Sequence, residues 1–223
     1  MGYCDQEKPI PAGHTFCFTE GRFVTRCFRA DPSDMRQCLR LRFDYFVCKR
    51  RWVSADANLD GVEYDRYDVG AHHLGVFGGD ALLGYLRALP WTESLGFMLE
   101  HEFSCLLPHG DVRGFRKADA LEVSRLVLNP DVQCEHCHTV VELLLKSLYH
   151  LAKRELKPIV YMVVEESWLR PFVRRFKLPL QTIGVPYTFP DGTRTVAAMT
   201  NIRELEELFA AKYPDKFRWY QQI

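Results

Sequence analysis

The sequence predicts one α/β domain built on a central mixed, largely antiparallel sheet with helices packed against it. Three observations predict this. At 223 residues the chain, taken as one domain over 1–223, can bury one sizeable core. Runs of β-compatible residues interleave with stretches of helical period. Two pairs of strand-like runs are joined by Gly78-Gly79-Asp80 and Pro190-Asp191-Gly192, turns that fold one strand back antiparallel to the next.

Residues 1–14 read as loose and flexible, because Pro9, Pro11 and Gly13 break any regular pattern. Residues 16–28 read as one or two strands interrupted near Gly21. Asp31-Pro32-Ser33-Asp34 is a helix start, with Asp31 as cap and Pro32 in the first helical position; the helix is predicted to run to about Cys48. On it Met35, Leu39, Arg42 and Phe46 recur every three or four residues, so Arg42 shares a stripe with apolar neighbours and needs an acidic partner or an anionic ligand. After Trp52 comes a polar, mobile segment at 54–61, then Glu63-Tyr64-Asp65-Arg66-Tyr67-Asp68. In extended form Glu63, Asp65 and Tyr67 would face one way and Asp68 the other, and so many carboxylates suit a solvated turn or a cation cradle better than a plain strand. Residues 73–77 and 81–89 form the first hairpin, with Arg87 near its end before Pro90. Residues 93–107 read as a short amphipathic helix over a pocket, and 113–119 as a charged loop.

The next strand, residues 121–129, dominates the reading. It sets Glu122, Ser124 and Arg125 into an apolar run that stops at Asn129-Pro130. An unpaired charge away from water is strongly unfavourable, so Glu122 and Arg125 require charge partners or a solvated cleft. On an even strand Glu122 and Ser124 share a face and Arg125 lies opposite, unless a bulge re-aims it. Residues 138–156 then read as a buried helix, 158–164 as a strand buried on both faces, and 167–176 as a short basic helix with Pro171 in an early turn. Residues 180–188 pair with 193–199, and a last helix covers 201–213, with Asn201 and Glu204 spaced as a capping box.

Lys plus Arg and Asp plus Glu are equal at 29 each, so no overall field favours nucleic acid or an anionic membrane. The first 18 residues lack the basic and apolar regions of a secretory signal, and nowhere do about 18 apolar residues run unbroken; a soluble, cytoplasmic protein is expected, with no nucleic-acid or membrane partner. Eight scattered cysteines read as reduced, mostly small core residues. Cys134-Glu135-His136-Cys137-His138 spells the haem-attachment pattern, but that chemistry needs export; the stretch reads as a polar turn entering a helix rather than a haem or metal site.

The order of elements, and above all the charged motifs, resembles the acyl-homoserine-lactone synthases, autoinducer synthases on a GNAT-like fold. The motif match runs from Arg42 to Arg125 and, more loosely, to about Met199. The family's Arg-x3-Phe-x5-Trp series falls on Arg42, Phe46 and Trp52, its acidic pair on Asp65 and Asp68, its strand-end arginine on Arg87, and its Glu and Arg on Glu122 and Arg125. Departures are Ala88 for the usual Leu, and Arg50-Arg51 where Leu-Gly is common before Trp52. Val163 or Val164 stands where members preferring 3-oxo chains carry Thr or Ser. The resemblance implies a GNAT-like three-layer αβα sandwich and an acyltransferase that joins an acyl group, from an acyl carrier protein or coenzyme A thioester, to the amino group of S-adenosylmethionine. Lactonisation would then expel methylthioadenosine, giving a quorum-sensing signal without a cofactor or metal.

In that reading Glu122 is the general base, directly or through water. Asp65 and Asp68 help position the adenosylmethionine cation. Arg42 and Arg125 pair acidic groups or the methionyl carboxylate, and Arg87 fixes the acidic network or approaches the thioester. Ser124 lies beside them on the Glu122 face, Phe46 and Trp52 wall the sulfonium and adenine, and the segment containing Phe103 walls the acyl chain. A related acyltransferase acting on another amine is the second reading, an N-acyl amino acid synthase or an exosortase-system-associated enzyme. Leu99-Glu100-His101-Glu102-Phe103 and Trp219 prompt it. A third is a non-catalytic module binding metal through Cys134, His136, Cys137 and His138.

Overall fold

The computed structural model describes residues 13–55, 60–107 and 116–223. Most of the start that the sequence marks as loose, the centre of the polar segment after Trp52, and much of the charged loop before the key strand lie outside the described residues. Among the described residues nine strands form one sheet. In chain order they are β1 (His14–Glu20), β2 (Phe23–Phe28), β3 (His72–Gly78), β4 (Ala81–Pro90), β5 (Ala120–Leu128), β6 (Ile159–Glu165), β7 (Gln181–Thr182), β8 (Tyr187–Thr188) and β9 (Arg194–Asn201). They lie in the order β1-β2-β3-β4-β5-β6-β9-β7, with β8 also on β9. Every pairing is antiparallel except β5 with β6. That parallel pair needs a crossover, which the long helix α3 (Cys134–Arg154) supplies.

Helix α1 (Pro32–Arg42) starts as its sequence dictates. Asp31 caps it by accepting from the amides of Ser33 and Asp34, and Pro32 sits where no amide is needed. It continues as a π-helix over Phe43–Lys49. Helix α3 and the C-terminal helices α5 (Ile202–Lys212) and α6 (Pro214–Gln221) bury one face of the sheet in a core that includes Leu121, Val123, Leu144, Phe209 and Tyr220. The other face carries two smaller cores: α1 and the π-helix over Phe28, Phe77, Tyr85 and Val127, and the segment of short helix α2 (Met98–His101) over Leu89, Ala120, Tyr161 and Ala197. The three layers are those of a GNAT-like αβα sandwich. Helix α4 (Glu166–Phe176) follows β6 directly.

Several predicted boundaries move. The helix expected over 93–107 is split into α2 and a 3-10 turn, Ser104–Leu106. The strand at 180–188 is broken into β7 and β8 because the amide of Val185 turns to the carbonyl of Leu106, 3.0 Å away, and Pro186 has no amide to give. Gly184 is pressed there so closely that an added Cβ would lie 1.9 Å from the Leu106 oxygen. His14, read as loose, opens β1, and α6 is an addition.

Candidate active site

β4 and β5 bring Arg87 opposite Ser124 and Leu89 opposite Glu122, so Arg87, Ser124 and Glu122 share one face. Between Ser124 and Val127 the register slips by one residue, with Tyr85 opposite Val127, and Arg125 takes a left-handed conformation with φ of 59°. This is the bulge the sequence required if Arg125 was to join its neighbours. Instead of pointing into the helices behind the sheet, Arg125 donates to Glu63 (2.9 Å) and Asp65 (3.0 Å) on the front.

The acidic stretch is not extended. It runs through a turn into a single 3-10 turn, Asp68–Gly70, and this corrects the alternating faces expected of it. Its three carboxylates converge on three arginines. Arg42, with no exposed surface, donates to Glu63 (2.5 Å) and in a bidentate fork to Asp68 (2.6 and 3.1 Å). Arg87, also fully buried, donates to Asp65 (2.6 Å), Asp68 (3.0 Å) and the Ser124 hydroxyl (3.0 Å), while its remaining nitrogen lies 3.0 Å from the Met98 sulfur. Burial alone would raise the pKa of Glu63 and Asp68, but it is outweighed. Hydrogen bonds from Arg125 and Arg42 hold Glu63 at about 2, and the charge and hydrogen bonds of Arg42, then Arg87, hold Asp68 at about 2.

Glu122 sits beside this network without an ion pair of its own among the described residues. Its two oxygens accept the amides of Met98 (2.6 Å) and Leu99 (2.8 Å), the first turn of α2. Only 2% exposed, it is pushed up to about 7 by burial, against the opposing pull of those amides and of Arg87. Phe46 packs under the network with the Arg125 guanidinium 5.3 Å over its ring, and Trp52 lies 6.0 Å from Phe46, 41% exposed. Phe103 is further off, against Phe189 in the α2 core. The sheet opens here. β5 and β6 pair only from Ala120–Ile159 to Val123–Met162, after which β5 stays with β4 and β6 with β9. Glu122 lies at the closed end of that opening and Arg125 on its rim.

No family model matches the chain, and no curated protein does. Solved structures do. The coenzyme A-dependent acyl-homoserine lactone synthase BjaI, in a structure with SAM and isopentyl-CoA, superposes over 81% of this chain and 82% of its own with a TM-score of 0.64 at 25% identity. The fold is that of the acyl-homoserine lactone synthases. LasI, another such synthase, covers 81% of this chain and 90% of its own at a TM-score of 0.66 and 19% identity. An N-acetyltransferase of Lactobacillus plantarum shares the wider fold at a TM-score of 0.56 and 14% identity, over 81% of this chain and 98% of that one.

Of the residues matched to the acyl-homoserine lactone synthases by motif, Arg42, Asp65, Asp68, Arg87 and Arg125 form one bonded network, joined by Ser124 and floored by Phe46. Glu122 adjoins it through Met98 and Arg87. Trp52 stands at its edge and Phe103 in the separate α2 core. Glu63 is the member the motif reading left out, although it bridges Arg42 and Arg125. Its signal was present: one carboxylate more than the acidic pair required. The features that prompted the other readings have structural partners. Glu100 accepts from Phe97 (2.8 Å) and Trp91 (3.0 Å), and Trp219 stacks on Lys146 behind the sheet. His136 and His138 face Glu135 and Glu142, and among the described residues no group of three or more His, Cys, Asp or Glu side chains is placed to hold a metal ion. The side chain of Cys134 lies outside the described residues.

Proposed function

We propose that the protein is an acyl-homoserine lactone synthase: it acylates the amino group of S-adenosylmethionine from a coenzyme A or acyl carrier protein thioester, and the methionyl carboxylate then closes the lactone, releasing methylthioadenosine. The product would serve as a quorum-sensing signal made in the cytoplasm. The observation that carries this reading is the bulge at Arg125. It adds a partly solvated guanidinium to a network of matched arginines and carboxylates, beside a carboxylate held near neutral pH, on the fold of these synthases.

The amine must be neutral to attack. An α-amino group has an ordinary pKa near ~7.8, so transfer to a carboxyl at about 7 costs only about 1 kcal/mol, against about 5 for an ordinary glutamate. Each Glu122 oxygen accepts one amide and keeps a second lone pair, so the carboxylate can take the proton, directly or through water, without giving up either bond. Asp68 has both oxygens bonded to buried arginines and acts through them. Asp65 and Arg125, both partly exposed, are the charges a zwitterionic amino acid can reach. Lactonisation needs a folded conformer more than a further catalyst, because the sulfonium already leaves well. The opening between β5 and β6 would admit the thioester arm. A coenzyme A donor has the added support of BjaI, whose structure contains isopentyl-CoA.

Mass spectrometry of lipophilic products tests the proposal, comparing cells expressing the wild type with cells expressing Glu122→Gln. A lactone in the first and its near absence in the second is expected. Purified protein that acylates a free amino acid but releases no methylthioadenosine from adenosylmethionine would mean a different amine acceptor.

A further inference from the structure

The dipeptide before Trp52 departs from the family pattern, and the structure gives it a position. Arg51 takes φ of 56°, a left-handed conformation that a glycine adopts freely and an arginine only at a cost. That turn folds Arg50 back over its own neighbour. Its guanidinium lies 4.0 Å over the Trp52 ring and is ion-paired to Glu165 at the end of β6. Trp52 itself is fixed from two sides, by its amide on the Phe46 carbonyl (2.9 Å) and by its indole on Asp191 in the turn before β9. Glu165 and Asp191 also line a cavity of about 550 Å³. Arg50 and Trp52 thus form a strap from the π-helix to the far side of the β6 end.

We infer that Arg50 holds the aromatic cation seat on Trp52, and that an incoming sulfonium displaces it from the ring while Glu165 keeps its ion pair. This rests on the reading of Trp52 as a wall of the adenosylmethionine site. A guanidinium over an indole face is held by the attraction between a cation and the ring quadrupole, and a sulfonium competes for that same interaction. Arg50 therefore sets a common threshold for every occupant of the seat, and the ring face itself tells a sulfonium from a thioether. A cationic acceptor regains on the ring what the guanidinium gives up there, whereas the neutral thioether product regains nothing, so Arg50 returns and product leaves.

Displacement has a distinctive signature. Every ligand that uses the seat must move Arg50, so removing the guanidinium strengthens all of them by one common factor. Isothermal titration of Arg50→Gln with adenosylmethionine and with methylthioadenosine is expected to show both binding about two- to fivefold more tightly than to the wild type, the range of an exposed cation–π contact. Weaker binding of either ligand, or a gain for adenosylmethionine alone, would overturn the inference, the latter because it marks simple repulsion between like charges. Trp52→Ala separates the two levels. If it leaves both affinities unchanged, Trp52 is not at the site and the underlying reading fails. If it weakens binding while Arg50→Gln changes nothing, the reading stands and the role of Arg50 falls.

Discussion

Glu122 is pulled in opposite directions by folding and by the proposed chemistry. Buried and without an ion pair among the described residues, its carboxyl is driven by desolvation toward the protonated form, yet a general base must be ionised. Its pKa in the fold, about 7, lies above the ordinary 4.5, so its contribution to stability is complete below about pH 4.5 and is lost as pH rises through 7. Catalysis should have the reverse dependence, kcat/KM rising through pH 7. Denaturant melts at pH 5 and pH 8 are expected to show the wild type losing stability relative to Glu122→Gln by on the order of 3 kcal/mol. Equal losses in the two proteins would remove Glu122 as the source. The same substitution should lower kcat by about 10²–10⁴-fold. Glu63 has the opposite linkage: held at about 2, its contribution is present above its ordinary 4.5 and fades as pH falls toward 2. Glu63→Gln leaves Arg42 and Arg125 short of a carboxylate and should cost about 3–5 kcal/mol in urea melts at pH 7, a loss that would disappear if water replaced the bond. These residues differ in how far the sequence exposed them. Arg42 was legible because its helical stripe is otherwise apolar, and Glu122 because a charge in an apolar strand demands an explanation. Glu63 was visible as surplus acid, but its partner Arg125 lies 62 residues away and reaches it only through a backbone conformation that no local pattern encodes.

At the scale of elements, that conformation is a device in its own right. A left-handed arginine in a strand costs about 1–2 kcal/mol, and ion pairs to Glu63 and Asp65 hold it there. Strain and side chain can be separated. Arg125→Ala keeps the strain and loses the ion pairs, while Arg125→Gly loses both. The glycine variant is therefore expected to be more stable than the alanine variant by about 1 kcal/mol, with both equally inactive. Equal melting points would mean that the bulge relaxes once the guanidinium is gone. Strands and the first hairpin were readable because period two and a Gly-Gly-Asp turn are local signals, and α1 because its cap and proline are. The irregular pieces were not. The π-helix after α1 looks like continued helix, since the stripe through Arg42 and Phe46 persists. The break between β7 and β8 depends on a carbonyl from Leu106, distant in sequence. Helix α6 hides in an aromatic run whose side chains serve three different neighbours, Tyr220 on Tyr149 and Phe209 and Trp219 on Lys146.

For the molecule as a whole, the parting of β5 from β6 is the feature that interrupts a continuous sheet beside Glu122, and in the proposed reading it sets the wall of the acyl site. Along β6, Tyr161 and Val163 share the face of Glu122 while Val164 points behind the sheet, and Val163 is the first front-facing residue beyond the last β5 pairing. Strand parity therefore puts Val163 and not Val164 on the face of Glu122, and we take Val163 as the residue to test as the counterpart of the hydroxyl that the resemblance implies. A 3-oxo chain lying along this wall would leave its carbonyl against two methyl groups, desolvated and without a donor, a penalty of about 1–3 kcal/mol. The wild type should therefore favour acyl chains unsubstituted at the 3-position. Val163→Thr keeps shape and volume while adding a donor, and is expected to raise the ratio of 3-oxo to unsubstituted lactones about tenfold in competition assays with matched thioesters, with turnover of the unsubstituted chain changing little. Val164→Thr, facing the helices, should leave that ratio where it is while lowering stability. If the two variants shift the product ratio equally, the acyl chain does not run along the front of β6, and the thioester must enter from elsewhere.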